Sequence, residues 1–404
     1  MQELFKTPTI TRRNWLGASA STLISAACSS RAMSQTPVSE DSANDLATEV
    51  PRLMELASVP GAAVGVITAG AAATMGFGTT RATNGAPVTT DTVFEAASLS
   101  KPVFAYLVHL LVAENKLDLA RPLSSYLALP NSADPKAATI TARHVLSHTS
   151  GWRNWRFGPN DQLTADFDPG ARFSYSGEGY YFLQRVVEKI TGTGILRLTR
   201  DKVFTPLGMN RTSYLWSPEF ETSRADPHSG RGVPLDSYGV GLGRKFRAAA
   251  TAASTNIYDW KHEDFERTFA ADNKDRPPFP NFLTPNVAGS LHTTANDYAR
   301  FIRHLLGVQG RPVLSRMMEP QVDIKTSLKW GLGFGVQTQE MGAARARPLF
   351  WHWGDNTGFK NIVIGDPADS SAVIVFTNGN NGRPLYERIV RLVRGRDQPA
   401  FLWI

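Results

Sequence analysis

The chain has 404 residues, 42% of them hydrophobic and 20% charged, which is a globular composition. A single Cys excludes a scaffold held by several disulfides and a cysteine-ligated iron–sulfur cluster or structural zinc site. Of the net charge of +7, Lys6, Arg12, Arg13 and Arg31 against Glu3 place +3 in the first 32 residues. The other basic residues are scattered and do not alternate with aromatic residues, so no nucleic-acid partner is expected.

The N-terminal segment predicts export. Residues 11–17, with Arg12 and Arg13 at their centre, resemble a twin-arginine export signal, and a short apolar stretch follows. We therefore expect residues 1–32 to be an export signal and the protein to be periplasmic or extracellular. The alternatives are an uncleaved arm and a lipid anchor on Cys28, although Ser25 stands where a lipoprotein signal usually has an aliphatic residue. No later stretch is long and apolar enough to predict a transmembrane segment.

After a polar segment, 33–44, that predicts a linker, the pattern of apolar residues predicts the elements of a folded domain, 45–404. A helix is expected first, containing Pro51, followed by two strands that turn at Gly70. The predicted helices are 46–56, 98–115, a helix through Leu183–Ile190 that stops at Gly192, a helix through Tyr298–Leu305 that stops at Gly307, and 385–393. The predicted strands are 62–68, 71–77, 349–353, 359–364 and 372–377.

Strands near both ends and a long middle rich in Pro and Gly predict one sheet built from 45–115 and 290–404. The middle, 116–289, would be an inserted, mostly helical subdomain. Because successive strands are joined by tight turns, they are expected to pair antiparallel. The predicted fold class is therefore α+β, with an antiparallel sheet flanked by helices.

The segment 94–102 carries the sharpest chemical signal. If a helix begins near Ser98, its 3.6-residue turn places Lys101 on the same face as Ser98. A serine hydroxyl is a poor nucleophile until a base takes its proton, and a buried lysine with a lowered pKa is such a base. Taken alone, Ser-x-x-Lys is also common by chance, as a capping serine beside a solvated lysine.

Several further segments occur in an order that makes the pattern specific. They are Asn115-Lys116-Leu117-Asp118-Leu119, Leu146-Ser147-His148-Thr149-Ser150-Gly151, Phe173-Ser174-Tyr175-Ser176-Gly177, Pro206-Leu207-Gly208-Met209, Trp330-Gly331-Leu332-Gly333-Phe334-Gly335 and His352-Trp353-Gly354-Asp355. With Ser98-x-x-Lys101, the chain resembles the serine hydrolases of the class C β-lactamase and penicillin-recognising family. The resemblance runs from about Val59 to the final helix and implies a β-lactamase/transpeptidase-like fold.

The resemblance also implies a mechanism without a cofactor. Ser98 would be the nucleophile that accepts the acyl group, while Lys101 and Tyr175 would share the work of general base and acid. A tyrosine acts as a base near neutral pH only if cationic neighbours favour its phenolate. The backbone N–H groups of Ser98 and Asp355 would form the oxyanion hole. The substrate-binding residues would be His352, Gly354, Asp355 and Gly177.

Two departures from the family pattern bear on the substrate. Gly177 replaces an Asn whose amide would contact a substrate's acylamino group, and His352 replaces a Lys that would hold a carboxylate at neutral pH. Both departures favour esters or amides that lack that carboxylate. Arg153 and Arg156 could restore an anion site, or they could belong to a surface loop with aromatic anchors.

Competing chemistries have less support. The chain has no Gly-x-Ser-x-Gly, the nucleophile elbow of α/β-hydrolases, and no Gly-x-x-x-x-Gly-Lys phosphate loop. His144 and His148 have the spacing of two metal ligands on a helix, but Val145 stands where a zinc protease needs its Glu. No metal is therefore expected.

The sequence thus predicts an exported serine hydrolase that acts on small ester or amide substrates through an acyl-enzyme on Ser98. The enzymatic alternative is a β-lactamase or D-alanyl-D-alanine carboxypeptidase, with a β-lactam or peptide as substrate. The non-enzymatic alternative is a catalytically idle relative that binds cell-wall fragments or a protein partner, because a fold does not guarantee its chemistry.

Overall fold

A computed structural model describes residues 40–130, 132–157, 162–272, 283–339, 341–342 and 347–404, with side chains from residue 45 onward. The predicted export signal, including Arg12, Arg13 and Cys28, lies outside the described residues. Within the described ranges, no helix combines the length and the apolar character that crossing a bilayer requires.

The two ends of the chain build one sheet, as the sequence predicts. Among the described residues this sheet has eight strands in the order β2-β1-β10-β9-β8-β7-β6-β5, with every neighbouring pair antiparallel. A separate two-stranded ribbon pairs β3 with β4. The strands are β1 Gly61–Thr68, β2 Ala71–Gly78, β3 Phe94–Ala97, β4 Leu291–Thr293, β5 Val322–Lys325, β6 Leu328–Trp330, β7 Gly335–Gln337, β8 Leu349–Asn356, β9 Phe359–Asp366 and β10 Ser371–Thr377.

Helices connect the two parts of the sheet and cover it. They are α1 Glu40–Ala57, α2 Ser100–Ala113, α3 Pro135–Ala138, α4 Ala142–Leu146, α5 Gly177–Thr191, α6 Ile195–Thr199, α7 Tyr238–Ala252, α8 His262–Asp272, α9 Ala295–Leu306, α10 Arg311–Met317 and α11 Gly382–Arg394. In the middle of the chain, 116–289, the described helices are α3 to α8, and none of the described sheet strands lies there. An α+β fold with an antiparallel sheet between helices is therefore confirmed.

The central strands are apolar throughout because both faces of the sheet are covered. Along β1, Ala63 and Ile67 pack in the core cluster that contains α2 and α9, whereas Val64 and Val66 pack in the cluster that contains α1 and α11. Successive side chains of such a strand point to opposite faces of the sheet, and both faces are buried. The sequence of the strand is therefore apolar at nearly every position. This arrangement fixes the sheet between two helical layers.

The first helix differs from its predicted bounds. It begins at Glu40, so the last part of the predicted linker, 33–44, is helical rather than irregular. Acidic residues near a helix N-terminus interact favourably with the helix dipole, which makes a polar sequence compatible with a first helical turn. The buried stripe that docks the helix is formed by Leu46, Val50 and Met54.

Candidate active site

Ser98 lies in the tight turn that joins β3 to α2, two residues before the helix begins. The preceding residue, Ala97, has φ +51, a left-handed conformation that costs an L-residue roughly 1–2 kcal/mol. Ser100 holds the turn, because its hydroxyl donates to Ala97 O at 2.5 Å and accepts from Leu291 N–H at 3.0 Å. The turn therefore presents a half-buried serine hydroxyl in a fixed position.

Lys101 brings its amine to that hydroxyl, as the one-turn spacing predicts. Its Nζ lies 3.1 Å from Ser98 Oγ and donates to Ala288 O at 2.6 Å. The side chain is 1% exposed, and burial holds the pKa of Lys101 well below its usual value of 10.5. Burial disfavours the charged form, so the amine has a lone pair available to accept the serine proton.

Tyr175 joins Ser98 and Lys101 from a distant part of the chain. Its ring centre lies 4.7 Å from Lys101 Nζ, and its buried hydroxyl makes no hydrogen bond of acceptable geometry to any described residue. Burial raises the pKa of Tyr175 above its usual value of 10, and the nearby Ser98 hydroxyl offsets only part of that rise. Tyr175 is therefore a neutral phenol at pH 7, suited to giving a proton before it can take one.

His148 fixes Tyr175 from three directions. Its backbone carbonyl accepts from Ser174 N–H at 2.8 Å, and its Nδ1 accepts from Ser176 N–H at 3.1 Å. Its ring stacks on the Tyr175 ring with centroids 4.1 Å apart and an interplanar angle of 27°. The sequence assigned His148 to a loop common in the resembled family and gave it no role. The contacts of His148 exist only in the folded chain, so nothing in the local sequence could have identified this role.

The pairing of His148 with His144, weighed above as a possible metal pair, does not form on one helix. His144 lies in α4, where its Nδ1 accepts from Thr141 N–H at 3.3 Å as part of the helix cap. The helix ends at Leu146, so His148 lies beyond it. Within the described ranges, the one group of three His and acidic side chains close enough to share a metal ion is Glu188, His262 and Glu263.

That group joins two helices of the inserted region. Glu188 of α5 accepts from His262 Nδ1–H at 2.7 Å and from His262 N–H at 3.0 Å at the start of α8. Its other oxygen accepts from Ile195 N–H at 3.0 Å. The carboxylate is therefore already satisfied by hydrogen bonds within the fold.

His352 lies on β8, with its ring centre 6.3 Å from that of Tyr175, and is fully buried. Its Nδ1–H donates to Trp353 O at 2.7 Å. Burial above all, and then the charge of Lys101, lower the pKa of His352 to about 3. At neutral pH this residue therefore offers no positive charge to a substrate carboxylate.

Gly354 allows β8 to approach the turn that carries Ser98. A Cβ on this residue would lie 2.3 Å from Ala96 O, so only glycine permits this separation of β8 and β3. The Asn361 side-chain amide donates to Glu95 O at 2.9 Å and ties β9 to β3 in the same place. The Asp355 side chain is exposed and pairs with Lys360 at 2.5 Å, so its carboxylate is directed to that lysine. The oxyanion role of its backbone N–H stays a prediction.

The remaining predicted residues lie at the start of α5. Gly177 is the first residue of that helix and contacts the Trp155 indole. Arg156 forms a buried ion pair with Glu178 at 2.6 Å, and the exposed Arg153 lies 3.7 Å from Asp166. The idea that these two arginines form an anion site is therefore wrong, because the Arg156 charge is already balanced within the fold.

Three buried polar atoms in and beside Tyr175 have no hydrogen-bond partner among the described residues. They are Tyr175 Oη, His148 Nε2 and His352 Nε2. Because His148 Nδ1 accepts and His352 Nδ1 donates, the neutral rings leave an N–H on His148 and a lone pair on His352. An unsatisfied buried polar atom costs about 1–3 kcal/mol, and such costs are tolerated where function requires them. The structure thus brings together Ser98, Lys101, Tyr175 and His352, an arrangement that can move a proton to and from a serine hydroxyl.

Comparison with known proteins identifies the family. A family model described as Beta-lactamase matches residues 46–395. The chain is 34% identical over 172 residues to penicillin-binding protein 4 of Amycolatopsis lactamdurans, covering 39% of this chain and 45% of that protein. It is 30% identical over 206 residues to esterase EstB of Burkholderia gladioli, covering 43% of this chain and 52% of that protein. The chain thus spans about half the length of these curated relatives.

Solved structures agree on the fold. The β-lactamase/D-alanine carboxypeptidase of Pseudomonas syringae superposes with a TM-score of 0.67 at 16% identity, over 89% of this chain and 100% of that one. The class C β-lactamase of Rhodobacter sphaeroides gives a TM-score of 0.65 at 15% identity, over 88% of this chain and 98% of that one. Since the family model spans most of the chain and these structures share its fold, the protein belongs to the beta-lactamase family of serine hydrolases.

Proposed function

We propose that this protein hydrolyses carboxylic esters through an acyl-enzyme on Ser98. The observation that carries the proposal is the 3.1 Å separation between Ser98 Oγ and the buried Lys101 Nζ. Burial favours the neutral form of that amine, which can accept a proton, and the Tyr175 hydroxyl is buried beside it.

In acylation, Lys101 Nζ takes the Ser98 proton while Oγ forms a bond to the ester carbonyl carbon. The carbonyl oxygen becomes an oxyanion, held by the backbone N–H groups of Ser98 and Asp355. The ammonium now lies 4.7 Å from the Tyr175 ring centre, where a positive charge lowers the pKa of the phenol. Tyr175 gives its proton to the alcohol oxygen as the C–O bond breaks, and Lys101 then returns a proton to Tyr175.

In deacylation Lys101 is again the base, and water takes the place of the serine hydroxyl as the nucleophile. Lys101, again neutral, takes a proton from water, and the water oxygen forms a bond to the acyl carbon. The bond from that carbon to Ser98 Oγ breaks, and the Lys101 ammonium returns a proton to Oγ. One ester and one water thus give one acid and one alcohol, and the enzyme regains its starting protonation state.

Electrostatics favours an ester over a β-lactam or a D-alanyl peptide, which carry a carboxylate at neutral pH. His352 stands where a lysine would bind that group, and its pKa of about 3 leaves it neutral. The Arg156 charge is balanced by Glu178. The similarity to a protein named as an esterase supports the same substrate class.

A substrate panel tests the proposal against both alternatives. The wild type and Ser98→Ala are assayed with p-nitrophenyl butanoate, a chromogenic cephalosporin and a D-alanyl-D-alanine peptide. Ester turnover that disappears in Ser98→Ala is the expected result. Faster turnover of the cephalosporin or the peptide would instead support a β-lactamase or carboxypeptidase. No turnover, together with no mass increase after treatment with a serine-directed phosphonate, would support an idle relative.

We also propose that the protein is exported, on the strength of Arg12-Arg13 and the short apolar stretch that follows. Fractionation of cells that express the wild type and the double variant Arg12→Lys/Arg13→Lys tests this. Export of the wild type and retention of the variant in the cytoplasm is expected. Radiolabelled palmitate in the wild type but not in Cys28→Ala would show a lipid anchor.

A further inference from the structure

The Trp155 indole occupies the space that a side chain at position 177 would need. A Cβ built on Gly177 would lie 2.4 Å from Cζ2 and 2.7 Å from Cε2 of this ring. Carbon atoms that are not bonded do not approach so closely, since van der Waals contact lies near 3.5–4.0 Å. The Trp155 indole therefore fits in this position only because Gly177 has no side chain.

The segment that carries Trp155 is fixed to the start of α5. The Asn154 side-chain oxygen accepts from Gly177 N–H at 2.7 Å, and the Asn154 carbonyl accepts from Glu178 N–H at 2.7 Å. On the other side of the indole, Arg156 donates to the Glu178 carboxylate through Nε at 3.0 Å and Nη2 at 2.6 Å, with both side chains buried. Because the chain is held on both sides of Trp155, the indole is a fixed surface.

This surface lies next to the segment that carries Tyr175. Gly177 follows Tyr175 by two residues, so their Cα atoms are at most about 7.6 Å apart. The indole packs against the main core cluster, yet part of it stays exposed. A partly exposed aromatic ring therefore packs against the short segment that carries the proton donor Tyr175.

We propose that Trp155 is a specificity-determining residue that selects substrates with a hydrocarbon acyl chain. This inference rests on the proposed ester hydrolysis at Ser98. An alkyl or aryl acyl group gains by covering the indole, since burial of apolar surface is favourable. An amide against the indole loses its hydrogen bonds to water and gains none from the ring. The cost of this desolvation corresponds to about 10- to 100-fold in rate.

Two esters with acyl chains of equal length test whether the site prefers a hydrocarbon chain to an amide. p-Nitrophenyl pentanoate and p-nitrophenyl N-acetylglycinate share a leaving group and an acyl chain of five atoms, and they differ in two methylenes replaced by an amide. The measured quantity is the ratio of their kcat/KM values, which does not depend on how much of a variant is folded. We expect the wild type to prefer the pentanoate and Trp155→Ala to lose about 10-fold or more of that preference.

Variants in the same region serve as controls. Phe157→Ala removes a neighbouring aromatic ring that is 70% exposed and should leave the ratio unchanged. Gly177→Ala alone should lower activity because its Cβ meets the indole, and Trp155→Ala/Gly177→Ala should recover activity relative to it. Recovery in the double variant would show that the two positions compete for one space.

The outcomes separate this inference from the proposed function. If Ser98→Ala abolishes pentanoate hydrolysis but Trp155→Ala leaves the ratio unchanged, the inference is wrong and the function stands. If Trp155→Ala alters discrimination only among esters that differ in their alcohol, the indole faces the leaving group and the inference is equally overturned. If Ser98→Ala retains pentanoate hydrolysis, the proposed function itself fails.

Discussion

Replacing Lys101 with methionine removes the amine at nearly constant shape and separates its chemical role from its packing. If this amine is the base that activates Ser98, its loss should lower kcat/KM for p-nitrophenyl butanoate by about 10²- to 10⁴-fold, the usual contribution of a positioned general base. That loss corresponds to about 3–5 kcal/mol of activation free energy. Lys101→Arg should also be inactive, because a guanidinium keeps its proton at any ordinary pH.

Stability should not fall together with activity. Lys101→Met loses two hydrogen bonds, to Ser98 and Ala288, worth about 0.5–1.5 kcal/mol each. In return it removes a buried amine, whose charged form the fold disfavours. These contributions have opposite signs, so we expect the variant to lose no more than about 2 kcal/mol of unfolding free energy.

The pH dependence gives a second, signed test. Because burial lowers the pKa of Lys101, the unfolded chain binds this proton more tightly than the folded protein. Wild-type stability is therefore penalised as pH falls below about 10.4, the unfolded value, and the penalty becomes constant below the folded pKa. Lys101→Met lacks this penalty, so the difference in unfolding free energy should shift in favour of the variant as pH falls. Over the same range, wild-type kcat/KM should rise with pH as the amine loses its proton.

The assays are ester kinetics and urea unfolding, each over a range of pH, with Lys116→Met as the control. Lys116 is a surface lysine paired with Glu114 at 2.9 Å, and its replacement should leave both quantities unchanged. The reasoning would be refuted if Lys101→Met kept kcat/KM within about tenfold of the wild type, or if its stability relative to the wild type did not depend on pH.

Three further variants test the rest of the site. Tyr175→Phe should lose about 10²- to 10⁴-fold in kcat without loss of stability, since the hydroxyl makes no hydrogen bond of acceptable geometry to any described residue. Thermal melting and ester kinetics measure these two quantities, and an active variant would contradict the prediction. His148→Ala should lower kcat by about 10- to 100-fold while KM changes far less. His148→Gln should partly recover kcat, because its amide oxygen can accept from Ser176 N–H. If kcat fell only in proportion to the loss of folded protein, the role of His148 would be purely structural. Gly354→Ala should lower the unfolding free energy by about 1–3 kcal/mol and reduce ester turnover, because its Cβ must move Ala96 away. An unchanged melting temperature would count against this packing argument.

Local features of the site follow from the sequence because they depend on residues close together in the chain. The spacing of Ser98 and Lys101 predicts that their side chains meet, and they do, although Ser98 lies in the turn before α2 rather than in the helix. The strand pairing at the end of the chain follows in the same way, since tight turns between apolar runs leave antiparallel pairing as the short connection. The beginning of α1 at Glu40 was missed because polar residues are equally common in linkers and first helical turns.

The sequence by itself determined five strands of the sheet and the order of the motifs through periodicities and spacings of a few residues, and its resemblance to a known family pointed to Ser98 as the nucleophile. The tertiary structure alone decided what those residues can do. The carbonyl that binds Lys101 belongs to Ala288, 187 residues away, and the ring that fixes Tyr175 belongs to His148, so neither contact leaves a trace in local spacing. Whether an amine is a base and whether His352 carries a charge depend on burial, which is a property of the packed chain rather than of any segment of it.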